Sequence, residues 1–325
     1  MSSAPRTIVV TGTSSFVGAH LADAFARTGH RVTATHSRPR AGYDGVRADR
    51  LAHAEAGGAI LTELDITDGG AVRALVDRFA PDIWIHHAGH AVDYASLSYD
   101  QALGDSVNVA PLDAIFRALA GSRGGVIVTG SSAEYAASDR ANREDETEAP
   151  EMPYGRSKKS ETERARELSA ATGVPCRVGR LYIPFGRLDH PGKLLAQAMD
   201  GLAAGQHIDL SPCTQRRDFI GVGDVCTGWA AMAGDLARGG FDIFNICSGG
   251  ATELKTLLVE IANAMDADTA LLRFGARGMR PGEAPVSFGN NSKANALLNW
   301  SPRPLAQALR EDLLPGAVRI AEARS

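Results

Sequence analysis

An α/β protein built on a doubly wound, mostly parallel sheet, with a smaller mixed α/β lobe towards the C-terminus, is what this sequence predicts. Three observations carry the expectation. Short β-branched runs alternate with amphipathic stretches; the first run, Arg6-Thr7-Ile8-Val9-Val10, breaks at Thr11-Gly12-Thr13-Ser14-Ser15-Phe16-Val17-Gly18; and Arg31-Val32-Thr33-Ala34-Thr35 follows at the distance that completes one βαβ unit. The 325 residues leave room for one large domain and a lobe. The sheet domain is expected over residues 1–178, with 218–248 returning to it, and the lobe over 179–217 and 249–325.

Each element has a local reason. After the glycine turn, Ala19, Leu21, Ala22, Phe25 and Ala26 share one helix face, and Gly29 ends the helix. Strand, turn and helix in that order aim backbone N–H groups at an anion, so Gly12, Ser14, Ser15, Phe16, Val17 and Gly18 are candidate phosphate-binding residues. His36, Ser37 and Arg38 follow the second strand, where an acid would grip a ribose 2′-hydroxyl; a cation there suits the 2′-phosphate of NADP instead. A third strand runs from Ala59 and delivers Asp65 and Ile66, with Asp65 placed to meet an adenine ring. A fourth, Asp82 to His86, ends at His87, Ala88 and Gly89, small enough at its tip for close approach by a dinucleotide. Asn108 enters a helix whose buried stripe is Leu112, Ile115, Phe116 and Leu119, and a fifth strand from Gly125 delivers Ser131 and Ser132. The acidic run between Ala136 and Glu151 reads as a solvated loop, Val174 to Leu181 as a sixth strand, and Phe241 to Cys247 as a seventh that rejoins the sheet.

Composition narrows the function. Thirty-four basic against 38 acidic residues give a net charge of -4 with no basic stripe, so no nucleic-acid partner is expected. No apolar run suits a bilayer span or a signal peptide, and a cytoplasmic protein without membrane attachment is expected. Four scattered cysteines suggest buried thiols, and His86, His87 and His90 lack the further ligands of a metal site.

Chemistry concentrates between Ser131 and Lys158. A serine hydroxyl, the Tyr154 phenol and the Lys158 ammonium can together handle a carbonyl oxygen and its proton, and the spacing from Tyr154 to Lys158 puts both on one helix face. A phenol titrates near pH ~10 and shuttles protons at neutral pH only beside a cation.

With Thr11-Gly12-x-x-x-Phe16-Val17-Gly18, Asp65-Ile66-Thr67-Asp68, His87-Ala88-Gly89, Asn108-Val109, Ser131-Ser132-Ala133-Glu134, Tyr154-x-x-x-Lys158, Arg217-Asp218-Phe219 and Asn245-Ile246-Cys247-Ser248-Gly249 in this order, the chain resembles the extended short-chain dehydrogenase/reductase family, in its nucleotide-sugar branch. The resemblance implies a Rossmann-type sheet and assigns Ser132 as the hydroxyl, Tyr154 as the acid/base, and Lys158 as the group that holds the nicotinamide ribose and lowers the Tyr154 pKa. It implies that the cofactor meets Asp65, Ile66, His87, Ala88, Gly89 and Asn108, as well as Tyr154 and Lys158. Ser132, Ala133, Glu134 and Tyr154 would line the substrate, with Arg217 and Arg280 on its diphosphate. A homodimer through helices 108–120 and 154–172 is also implied. Ser15 replaces the family's middle glycine, Ile183 a substrate-contacting asparagine, and the stretch after Ser131 is one residue short.

Four activities compete. NADPH-dependent reduction of the 4-keto group of a nucleotide-activated 6-deoxyhexose is favoured by residues 36–38, and NADP over NAD with it. A 4-epimerase is the alternative, a 4,6-dehydratase with Glu134 as one acid comes third, and an NADP-binding scaffold without catalysis is the non-enzymatic reading.

Overall fold

The computed structural model describes residues 4–279 and 284–314. Seven strands form the main sheet: β1 (Thr7–Val10), β2 (Arg31–His36), β3 (Ile60–Glu63), β4 (Ile83–His86), β5 (Gly125–Ser131), β6 (Cys176–Leu181) and β7 (Phe241–Ile246). Their order is β7-β6-β5-β4-β1-β2-β3, and every adjacent pair is parallel. The strand expected to rejoin the sheet does so beside β6. Strand order reverses between β1 and β4, so a crevice opens there at the carboxyl ends.

Both faces of the sheet are covered, which is why its strands read as continuous apolar runs. Along β1, Ile8 and Val10 face one cluster with Leu21, Phe25, Trp229 and Met232, from α1 (Phe16–Arg27) and a helix at Val222–Asp235. Val9 faces the other, with Leu75, Leu112, Phe116 and Leu168, from α3 (Gly69–Phe79), α4 (Pro111–Leu119) and α5 (Pro153–Thr172). Each such Leu, Ile or Phe contributes about 1.5–3 kcal/mol by leaving water. A third cluster joins the helices Leu194–Ala203 and Leu254–Ala264 to Phe185, Phe219 and Leu309.

Two local features depart from expectation. A helix, α2 (Gly45–Ala56), lies between β2 and β3, where the sequence pattern shows little; only Arg50, Leu51 and Ala54 of it are buried. The acidic run after Ala136 is not wholly solvated. Glu148 pairs with the fully buried Arg180, and Glu144 accepts the Asn245 N–H at 2.8 Å.

Candidate active site

The glycine turn forms as a cradle. Gly12 has φ +74°, and a Cβ there would stand 2.8 Å from Ala88 backbone; a Cβ on Gly18 would stand 2.4 Å from the Gly12 carbonyl oxygen. Backbone therefore approaches backbone in the crevice, and the Phe16 and Val17 N–H groups, in the first turn of α1, lack acceptors within the helix. These residues fit a dinucleotide pyrophosphate. The Ser15 hydroxyl has partners within the protein. The Ser15 Oγ caps α1 by accepting the Gly18 N–H at 3.1 Å and lies 2.9 Å from His87 Nε2, whose other nitrogen lies 2.9 Å from Thr129 Oγ1. Ser15 and His87 thus tie the turn to β5. Arg50, from the unexpected α2, donates to the Ser14 carbonyl at 3.2 Å and the Leu188 carbonyl at 2.8 Å.

At the end of β2, His36 is buried, its Nδ1 2.7 Å from the Arg38 carbonyl, and it shapes the loop that carries Ser37 and Arg38. Ser37 and Arg38 are exposed. Sequence reasoning missed Tyr43, whose oxygen accepts the Ser37 N–H at 3.1 Å and whose ring lies 4.7 Å beneath the Arg38 guanidinium. Burial raises the Tyr43 phenol, but hydrogen bonds from Ser37, Arg38 and Ser14 outweigh it and leave it below its ordinary value. Asp65 stands exposed beyond β3; its carboxylate is held below the usual range by the Thr67 hydroxyl and N–H. Ile66 is buried beside it. Asn108 is buried at 1% exposure in a π-helical turn, Asp105–Val109, and its Oδ1 accepts the His90 N–H at 2.7 Å. It shapes the turn beyond Gly89 from beneath.

Tyr154 and Lys158 share a face of α5, with Tyr94 and Tyr99 edge-on to the Tyr154 ring at 5.7 and 5.5 Å. Ser131 adds to the influences that lower the phenol's pKa, and the expected Ser132 follows it directly in the chain. Ser131 closes β5, and its oxygen accepts the Ala133 N–H at 3.1 Å; Ser132 and Ala133, both half-buried, begin the 3-10 turn that follows. Glu134 leaves the substrate altogether. It is fully buried, one oxygen accepting the Ser131 N–H at 2.8 Å and the other Thr162 and Arg180, each at 2.9 Å. Lys158 pulls the Tyr154 pKa down, but burial outweighs it and Glu161 adds to the rise, so the phenol sits above its ordinary value. Lys158 thus acts on the phenol in the expected direction, against a larger opposing effect of burial.

Beside this site a cavity of about 540 Å³ is lined by Tyr94, Ile183, Gln215, Arg217, Phe219 and Arg277. Arg217 is held in place by its neighbour Asp218, whose buried carboxylate accepts the Ser248 and Gly249 N–H groups at 2.7 and 3.0 Å. Arg277 was not foreseen, and Arg280 lies outside the described residues.

Known proteins agree with this architecture. The chain is 26% identical over 322 residues, 95% of each chain, to dTDP-6-deoxy-L-talose 4-dehydrogenase (NAD(P)(+)) of Kitasatospora kifunensis. It is 28% identical to dTDP-L-rhamnose 4-epimerase of Burkholderia thailandensis, covering 92% of this chain and 91% of the relative. Among solved structures, UDP-glucose-4-epimerase from Stenotrophomonas maltophila, with bound NAD and formylated UDP-arabinopyranose, superposes with a TM-score of 0.84 at 21% identity over 98% of this chain and 99% of that one. A model of one enzyme family spans residues 8–247, from β1 through β7 and every group just described around Tyr154: the chain belongs to the NAD dependent epimerase/dehydratase family, within the extended short-chain dehydrogenases/reductases.

Proposed function

We propose that the protein reduces the 4-keto group of a nucleotide-activated 6-deoxyhexose with NADPH, and that Tyr154 donates the proton. The corner at Ser14, Ser37, Arg38 and Tyr43 carries this reading: hydroxyl, amide and guanidinium donors converge there, and residues 36–38 include no carboxylate to repel a 2′-phosphate. A net reduction draws on reduced cofactor at every turnover, which suits the phosphorylated form. The relative acting as an NAD(P)-dependent 4-dehydrogenase supports the same chemistry run in either direction.

Bound in the crevice, the reduced nicotinamide would supply the hydride. The protein's own groups do the rest. Ser132 binds the substrate oxygen, Tyr154 gives that oxygen its proton, and the Lys158 ammonium stabilises the phenolate left behind. Arg217 and Arg277, facing the cavity, offset the charge of a diphosphate. Glu134, spent on Ser131, Thr162 and Arg180, is in no position to act as a dehydratase acid.

Epimerisation is the second reading, favoured by the rhamnose 4-epimerase relative, because the same Ser132, Tyr154 and Lys158 would serve oxidation and return. Incubation with a panel of nucleotide-activated 4-keto-6-deoxyhexoses, followed by absorbance, separates the two. Stoichiometric consumption of NADPH is expected; in a parallel incubation with the corresponding 4-hydroxy sugars, a 4-epimer formed with no net cofactor change would replace the reductase reading. Tyr154→Phe should cost at least ~10²-fold in turnover while cofactor affinity stays near wild type.

A further inference from the structure

Lys158 is gripped from the side away from the phenol. Three residues along α5, Glu161 is 1% exposed and ion-pairs with the Lys158 Nζ. Its other oxygen lies 3.4 Å from His86 Nε2 on β4, a nitrogen that also lies 3.1 Å from the Asn108 carbonyl. The side chains of His86 and Glu161 are 0% and 2% exposed, so water screens neither. A carboxylate at this depth needs a reason, since an unpaired one would cost several kcal/mol.

We propose that Glu161, anchored by His86, is a positioning residue that holds Lys158 and tempers the field its ammonium exerts on Tyr154. The inference rests on the reading of Tyr154 as proton donor. An ammonium beside a phenol favours the phenolate, and a carboxylate on the same ammonium gives part of that effect back. With Glu161 ionised, Tyr154 keeps its proton and remains an acid. Burial, opposed by Lys158, raises the Glu161 pKa to about 7, so this restraint itself is titratable. The sign follows: above that pH the carboxylate is charged and the phenol is held protonated, whereas below it Lys158 acts on Tyr154 at full strength.

Of the other groups facing these three, the histidines, Tyr99 and Cys176 each keep one protonation state in that range. His86 and His87, on β4 and just after it, are depressed by burial to about 4 and about 3 and stay neutral. Burial raises Tyr99, packed against Tyr154, and the Cys176 thiol on β6, so both stay protonated. Glu134, raised by burial, is fixed by Arg180. Ser131 on β5 carries no charge.

The test compares wild type with Glu161→Gln and follows tyrosinate absorbance against pH, each subtracted from its Tyr154→Phe partner, together with the basic limb of the reductive pH profile. Removal of the carboxylate should move the Tyr154 midpoint and that limb down by about 1 pH unit. Glu161→Met keeps the volume without a polar atom and is measured in parallel, in case the amide does not fold. An unmoved midpoint in whichever variant melts cooperatively overturns the proposal. Should Tyr154→Phe retain turnover, the donor reading fails, yet the absorbance arm still reports the coupling; should Tyr154→Phe lose turnover while the midpoint stays fixed, the coupling alone fails.

Discussion

Tyr43 and Arg38 act as one unit at the corner beyond β2. The guanidinium lies 4.7 Å over the ring, and the phenol oxygen takes the Ser37 N–H, so the tyrosine holds Ser37 and Arg38 where a 2′-phosphate would meet them. Arg38→Ala should weaken NADPH binding roughly 10- to 100-fold, the worth of a charged hydrogen bond, and leave NADH nearly unchanged. Tyr43→Phe should weaken NADPH about 5-fold by loss of one neutral bond. Fluorescence titration with both reduced cofactors measures this, and equal losses for the two would remove the corner from cofactor choice. Arg38 was legible in the sequence because it stands two residues past a strand. Tyr43 was not, because a 3-10 turn at Arg40–Gly42 folds it back.

The glycine turn and α1 are the element on which cofactor binding depends. A methyl at Gly18 would meet the Gly12 carbonyl oxygen at 2.4 Å, and neither backbone can yield without moving the cradle. Gly18→Ala should therefore destabilise the protein by about 1–3 kcal/mol and abolish the rise in melting temperature on adding cofactor. A variant that melts like wild type and still gains stability would show that the turn relaxes freely. The strands were legible because burial on both faces demands β-branched runs, and α5 because Gly173, at φ +74°, closes it where the pattern ends. The α2 helix was not legible, since three buried residues in twelve leave no stripe. Nor were the inward roles of Glu144 and Glu148, whose partners Asn245 and Arg180 come from β7 and β6, far along the chain.

At the scale of the whole molecule, the sheet order emerges only from tertiary pairing, since no local pattern says that β7 must lie beside β6. Among the described residues no helix is long and apolar enough to cross a membrane. The pair α4 and α5 is joined by Arg164 and Asp113, and α5 carries the exposed pairs Lys159–Glu163 and Arg164–Glu167. We propose this pair as the face of a homodimer; its charge predicts that sedimentation equilibrium gives a dimer at low salt that weakens as salt rises. A single monomeric species at all salt concentrations would exclude that face. Arg50 has a consequence of another kind. It bolts the Ser14 carbonyl to that of Leu188, a non-glycine residue held at φ +66°, and so ties the turn that cradles the pyrophosphate site to the loop after Phe185. A tie of this kind, formed on folding, would lower the entropy that a guest on either side must still spend on ordering its loop.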